Sequence, residues 1–176
     1  MSFLVSDDLI EIELEYIDLG KNGLIVLKTE PMKEFYLKAE GAKKKLKKVV
    51  AKFSRADWES FNWYINNTVK EDPRTNEQVL DTLKLRENKF QILLQEMKRF
   101  EGNDQIPVIL NAEFFKKVNP DLAAAFVEKY DAFLDNERND ILTELGVFKV
   151  LEEEAKAKSE ANAEKEETEK EDEDKE

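Results

Sequence analysis

The last 25 residues of the chain, Glu152–Glu176, contain no apolar side chain larger than alanine. They hold 13 acidic and 5 lysine residues, so −8 of the net charge of −12 belongs to this segment. Such a segment cannot bury enough apolar surface to offset the entropy that is lost on ordering. We therefore predict a disordered acidic tail or a frayed helix over residues 152–176, and we expect the folded core to lie before it.

The N-terminus carries the pattern of a β-hairpin. Apolar residues alternate with glutamates from Ile10 to Tyr16, and this period of two predicts a strand with one acidic, solvated face. The turn residues Asn22 and Gly23 tolerate positive φ angles, and the apolar run from Leu24 to Leu27 follows them. We predict a hairpin over residues 1–31. Because a lone hairpin is marginally stable in water, it must pack on helices or pair with another strand.

The rest of the sequence indicates helices. Between residues 32 and 151 apolar residues recur mainly at intervals of three and four, which is typical of amphipathic helices. We expect helices over residues 32–53, 54–71 and 75–100, a short helix capped by Asn111, and a last one that begins at Asn119 and Pro120 and stops before Gly146. The predicted fold is mainly α: the N-terminal β-hairpin packed on a bundle of about five helices, with a helical body over residues 32–151 and the acidic tail.

The composition argues against catalysis. The chain has no cysteine and no histidine, so it has no disulfide, no thiolate and no imidazole base or zinc ligand. No glycine-rich phosphate loop and no nucleophile elbow occurs. We expect no enzyme activity, no cofactor and no metal. No secretory signal and no run of about 20 apolar residues is present, so we expect a cytoplasmic protein without a membrane partner.

Three groups of charged residues are candidate sites. The lysines from Lys43 to Lys48 could bind phosphates, or they could cover the wet face of a helix; because the whole chain is acidic, we do not expect nucleic acid as a partner. Asp131 and Asp135, one helical turn apart, could hold a divalent cation or act as acid and base, but such pairs are common on solvated helix faces. The alternating glutamates from Glu11 to Glu15 indicate a solvated face, or an edge at which a partner strand adds.

The aromatic cluster after residue 57 suggests a binding anchor. Trp58, Phe61 and Ile65 share one helix face, and we predict that they are core residues. Trp63 lies off this face, so it is the aromatic that we expect to be exposed. Trp and Tyr side chains dominate the binding energy of many interfaces.

The order of elements resembles that of the tail assembly chaperones of long-tailed bacteriophages. The hairpin that leads into Val26–Pro31 and a helix is similar to the opening of many of these chaperones. The stretch Met97–Leu134 is similar to their later part: a helix end at Met97–Gly102, a polar turn, a short helix at Val108–Phe115, and a break at Val118–Ala123 into a final helix. The resemblance covers about the first 145 residues, and it carries no catalytic residues.

The resemblance implies a function. A tail assembly chaperone would bind the tape-measure protein, keep it soluble and recruit tail-tube subunits, in the cytoplasm of the host cell. A helical body with an apolar groove could accept an amphipathic client helix. We name Trp63, Phe148 and Leu151 as the candidate partner-binding residues. The alternative is an acidic interaction module, either a virion structural component or a regulator that occupies the basic site of a host protein.

Overall fold

The computed structural model describes residues 4–159. The chain divides into two compact units, Met1–Asp131 and Ala132–Glu176. Residues 152–159 are helical, and residues 160–176 lie outside the described range, as do residues 1–3. The disorder that we predict for the acidic tail therefore stays a prediction, and so does the division of the chain at residues 31 and 151.

The described chain contains seven strands and six α-helices before residue 147. The strands are β1 (Ile10–Asp18), β2 (Leu24–Val26), β3 (Leu46–Phe53), β4 (Val69–Glu71), β5 (Gln78–Leu80), β6 (Leu94–Glu101) and β7 (Asp104–Pro107). The α-helices are α1 (Glu30–Tyr36), α2 (Glu40–Lys43), α3 (Trp58–Asn66), α4 (Thr82–Leu93), α5 (Ala112–Lys117) and α6 (Pro120–Glu144). A 3₁₀ turn occupies Gly20–Asn22, and residues 147–159 form a further helix in the second unit.

The predicted fold class is wrong. A five-stranded antiparallel sheet in the order β2-β1-β3-β6-β7 forms the centre of the first unit, and β4 and β5 form a separate pair. Of the described residues, 51% are helical and 24% are in strands, so the fold is a mixed α and β fold rather than a mainly α one. The expected helix over residues 32–53 is two short helices followed by β3, and the expected helix over residues 75–100 is β5, α4 and β6.

Irregular pairing explains one of these errors. Lys52 pairs with Glu96 but the next residue, Phe53, pairs with Leu94, so Gln95 is an extra residue in β6. This bulge places Leu94 and Met97, three residues apart, on the buried face of the sheet. A spacing of three between buried residues is also the spacing of a helix, so β6 lacks the alternation from which a strand is predicted.

The N-terminal hairpin is confirmed, with a different turn. β1 and β2 are antiparallel neighbours with Tyr16 opposite Val26. The connection is longer than a two-residue turn, and its positive φ angles belong to Gly20 (63°) and Gly23 (91°). The hairpin is extended into a sheet, because β1 also pairs along its length with β3.

The core lies between one face of the sheet and the helices α4 and α6. The ring of Phe53 in β3 lies 5.8 Å from that of Phe126, 5.6 Å from that of Tyr130 and 6.0 Å from that of Phe90. Phe126 is fully buried, and the Tyr130 hydroxyl donates a 2.9 Å hydrogen bond to the Ser54 carbonyl. α6 thus packs against the sheet through Phe126 and Tyr130.

The opposite face of the sheet is polar and cross-linked by charges. Lys48 of β3 pairs with Glu13 of β1 at 2.8 Å, and Lys52 pairs with Glu96 of β6 at 3.3 Å. The Lys48 ammonium also lies 5.1 Å from the centre of the Phe100 ring. Of the lysines from Lys43 to Lys48, Lys47 and Lys48 lie in β3 rather than on a helix, and Lys48 is held against the acidic face of β1.

Candidate functional site

A groove of about 510 Å³ lies between α4, α5 and the start of α6. We call it the α4–α5–α6 groove. Its lining combines the buried Phe90 and Ala123 with the half-buried Phe115 and Val118, and Leu83, which is 71% exposed, also lines it. The groove therefore offers apolar surface to a ligand from outside the chain.

Helix caps fix the three walls of the groove. The carboxylate of Asp81 accepts a hydrogen bond from the backbone N–H of Lys84 at the start of α4. The side chain of Asn111 accepts one from Phe114 at 2.9 Å, which confirms the predicted cap of α5. At the start of α6, the Asn119 side chain accepts hydrogen bonds from the backbone N–H groups of Asp121 and Leu122. Each cap satisfies donors that a helix end leaves unpaired, so it fixes where the helix begins.

Phe115 closes the groove from the α5 side, and its neighbour Phe114 packs beside it outside the lining. The rings of Phe114 and Phe115 are 5.1 Å apart and nearly perpendicular, and each lies within 6.5 Å of the Phe90 ring. Because neighbouring residues of a helix cannot both face inward, one of two adjacent aromatics must lie at the boundary between core and surface. The two adjacent phenylalanines in the sequence could therefore have indicated an aromatic side chain at the edge of the core, but we predict only a helix from them.

The rim of the groove is basic. Lys84, Arg86 and Lys116 surround it with a single carboxylate, Glu87. Lys84 pairs with Glu87 at 3.0 Å, while Arg86 reaches Glu128 at 3.5 Å. Within residues 4–159, Lys116 makes no ion pair. In a chain with a net charge of −12, this local excess of cations favours an apolar ligand that also carries acidic groups.

A second apolar surface lies on α3. Trp58 is 77% exposed and stacks on Phe61, with the ring centres 6.3 Å apart and the planes at 20°. We call these two residues the aromatic patch. The prediction that they belong to the core is wrong, because Tyr64 is the buried aromatic of this helix. At about 100° per residue, Phe61 and Trp58 lie about 60° and 120° round the helix from Tyr64.

Buried polar contacts explain why α3 is rotated in this way. The Thr68 hydroxyl donates to the Tyr64 carbonyl, and the Asn88 side chain of α4 donates to the Asn67 carbonyl at 3.1 Å and to the Thr68 oxygen at 3.2 Å. Thr68 and Asn88 are both buried. Since buried polar groups need partners, this network holds the Tyr64 side of α3 against α4. Burial raises the pKa of Tyr64, and the nearby charge of Asp131 adds to this shift.

The three predicted partner-binding residues are all exposed. Trp63 is 37% exposed and lies on the side of α3 away from the aromatic patch. Phe148 (39%) and Leu151 (54%) lie three residues apart on the helix of the second unit. None of them lines the α4–α5–α6 groove. Their role in binding stays a prediction.

Of the two aspartates Asp131 and Asp135, Asp131 forms an ion pair within the fold. Its carboxylate accepts a hydrogen bond from the Lys89 ammonium of α4 at 2.5 Å, and this ammonium lies 5.8 Å from the Tyr64 ring centre. Asp135 belongs to the second unit. Among the described residues, no group of three or more His, Cys, Asp or Glu side chains is placed to hold a metal ion. Asp131 thus links α4 to α6.

Comparison with known proteins gave no match, whether to a protein-family model, to a curated protein or to a solved structure. In the part of the chain from residue 4 to residue 159, no helix combines the length and the apolar character needed to cross a membrane.

Proposed function

We propose that this protein is a binding protein whose α4–α5–α6 groove holds the apolar side chains of an amphipathic helix from a client protein. The apolar lining of the groove is the observation that carries the proposal. Its volume, about 510 Å³, lies in the range of about 300–1,000 Å³ that is common for ligand pockets. A client helix would insert residues spaced by three and four, as helices do in other hydrophobic grooves.

The basic rim specifies the client further. Lys84, Arg86 and Lys116 favour acidic residues on the flanks of the client helix. Contacts at the rim are exposed to solvent and screened by salt, so they select the client and orient it more than they strengthen binding. The binding energy would come from the apolar surface that is buried in the groove.

The client that we propose is the tape-measure protein of a long-tailed bacteriophage. The support is the resemblance of the sequence to tail assembly chaperones, which now depends on the N-terminal part and on the breaks before α5 and α6, because residues 94–101 form a strand. A long helical client has many amphipathic segments that need cover until assembly. The protein would then act in the host cytoplasm, keep its client soluble and bring tail-tube subunits to it, without catalysing a reaction.

Co-expression with candidate long helical proteins tests this proposal. The full chain is expressed with each candidate, and the client that it keeps soluble is recovered by pull-down. Ala124→Trp places a large side chain at a half-buried position of the groove lining and should lower recovery of the client by about tenfold or more. The matched control is Asp121→Trp, an exposed position of the same helix outside the lining, which should leave recovery unchanged.

The predicted anchors need a separate variant. Alanine at Trp63, Phe148 and Leu151 together tests whether exposed apolar side chains outside the groove also hold the client. Unchanged client solubility in this triple variant would restrict the interaction to the groove. Full recovery with Ala124→Trp would reject the groove as the binding site.

A further inference from the structure

β1 has an open edge. Its residues from Ile10 to Ile17 pair with β3, but β2 pairs only with Tyr16, Ile17 and Asp18. On the side of β2, the stretch Ile10–Leu14 has no neighbouring strand among the described residues. Since this stretch is already extended and fixed by β3, a further strand could add there without rearranging the sheet.

The direction of the backbone groups follows from two hydrogen bonds. The Glu15 carbonyl accepts from the Leu27 N–H at 2.9 Å, and the Glu13 carbonyl accepts from the Lys129 ammonium at 3.2 Å, so both point away from β3. In an antiparallel ladder, alternate residues direct their backbone groups to the same side. The N–H and C=O of Glu11 and the N–H of Glu13 therefore face the open side of β1.

The edge at the other end of the sheet is different. The Val108 N–H donates to the Met97 carbonyl of β6, so the backbone groups of Gln105 and Pro107 in β7 face outward. Pro107 has no N–H, and proline is a common means of blocking an exposed strand edge. β7 thus offers both the N–H and the C=O of Gln105 to a further strand, whereas β1 offers the N–H and C=O of Glu11 and the N–H of Glu13.

We propose that an extended segment of another protein, with alternating basic and apolar residues, adds to β1 along Ile10–Leu14. The side chains of Glu11 and Glu13 lie on the same polar face of the sheet. Glu13 forms an ion pair with Lys48, whereas Glu11 makes no ion pair within residues 4–159. Basic residues of the added strand would lie beside these carboxylates, and its alternate residues would lie on the apolar side of Ile10 and Ile12.

A second copy of this chain fits the same edge poorly. Two β1 strands that pair antiparallel about Ile12 would place Glu11 of each copy directly opposite Glu13 of the other. Like charges that lie directly opposite each other destabilise strand pairs. The acidic row therefore favours a basic partner strand over self-association.

The test uses the full chain and three synthetic peptides. The probe is a seven-residue peptide that alternates lysine and valine. A second peptide has the same composition in two blocks, and a third has proline at its centre. Binding is measured by fluorescence anisotropy at physiological salt, and the backbone amides are followed by NMR. We expect saturable binding of the alternating peptide alone, with shifts of the Glu11 and Glu13 amides and slower hydrogen exchange at both.

Two variants separate the contribution of the backbone edge to peptide binding from that of the side-chain charge. Glu11→Pro removes an N–H that is not used by β3, so the fold should persist, and affinity should fall about tenfold for the lost hydrogen bond. Glu11→Lys keeps the N–H and reverses the charge, and it should also weaken binding. This variant replaces Glu11→Pro as the test if the proline variant does not fold. The matched control is Gln105→Pro on the β7 edge, which should bind as the unaltered chain does.

Three results would overturn the proposal. Equal binding of the block peptide would mean a general attraction of lysine to an acidic chain. Unchanged affinity in both Glu11 variants would place the peptide elsewhere. A concentration-dependent dimer that Glu11→Pro abolishes would assign the edge to a second copy of the chain.

Discussion

The packing of α6 on the sheet can be tested at Phe126. This residue is fully buried, and its ring contacts those of Phe53 at 5.8 Å and Phe90 at 6.2 Å. Replacing a buried phenylalanine by alanine costs about 3–5 kcal/mol, depending on how far the site collapses. Because Phe53 is itself held by Tyr130, the surrounding rings cannot easily fill the space. We therefore expect Phe126→Ala to lose about 4–5 kcal/mol, a large share of the about 5–15 kcal/mol typical of a domain.

The same helix supplies the control. Phe133 is 42% exposed, so Phe133→Ala should cost less than about 1 kcal/mol. The assay is urea unfolding followed by far-ultraviolet circular dichroism, with comparison of midpoints at an unchanged slope. If Phe126→Ala is too unstable to purify, Phe126→Leu should show a smaller loss in the same direction. Equal losses at the two phenylalanines would refute the position that we give to α6.

Two further predictions concern buried polar groups. Burial raises the pKa of Tyr130 to about 12, whereas a tyrosine in the unfolded chain ionises near 10. The free energy of unfolding should therefore fall as the pH rises from about 10 to about 12, and it should fall less steeply in Tyr130→Phe. Equal slopes in the two proteins would contradict the burial of this hydroxyl. Asn88→Leu leaves the Asn67 carbonyl without its donor and removes a partner from Thr68, and it should cost about 2 kcal/mol in urea unfolding, while no loss would contradict the buried link between α3 and α4.

Local signals in the sequence predicted the starts of α5 and α6, but not those of α3 and α4, which begin at Trp58 and Thr82 instead of near residues 54 and 75. Asn111 and Asn119 cap α5 and α6 as expected, because a side-chain cap depends on residues within one turn. Ile106 lies in β7 directly before Pro107, as expected because the residue before a proline avoids the helical region. The hairpin of β1 and β2 also followed from an alternation that lies within one segment.

The strands β3 and β6 were missed because their pairing is not local. In β3, the buried Val49, Ala51 and Phe53 alternate with partly exposed residues, but Leu46, Val49 and Phe53 also fit a helical spacing. The β-branched pair at Val49 and Val50 favours a strand and could have decided the choice. In β6 the bulge hides the alternation, and only the partner strand makes the bulge visible.

The site was only partly predictable. Phe90 is buried, and the groove beside it depends on where α4, α5 and α6 meet. The periodicity of apolar residues within one helix does not give the distance between helices. The aromatic patch was assigned to the core because Trp58 and Phe61 share a face of α3. The buried hydrogen bonds of Thr68 and Asn88 determine which face turns inward, and these residues lie about 20 positions apart in sequence.

NMR mapping of a bound client on the isotope-labelled full chain shows directly whether the α4–α5–α6 groove holds the client. An amphipathic helical fragment of a client recovered by pull-down is titrated into the protein. We expect the largest amide shifts at Phe90, Phe115, Val118 and Ala123, and we expect Ala124→Trp to remove them while Asp121→Trp does not. Shifts confined to α3 or to residues 147–159, with the groove unaffected, would mean that the client binds outside the groove.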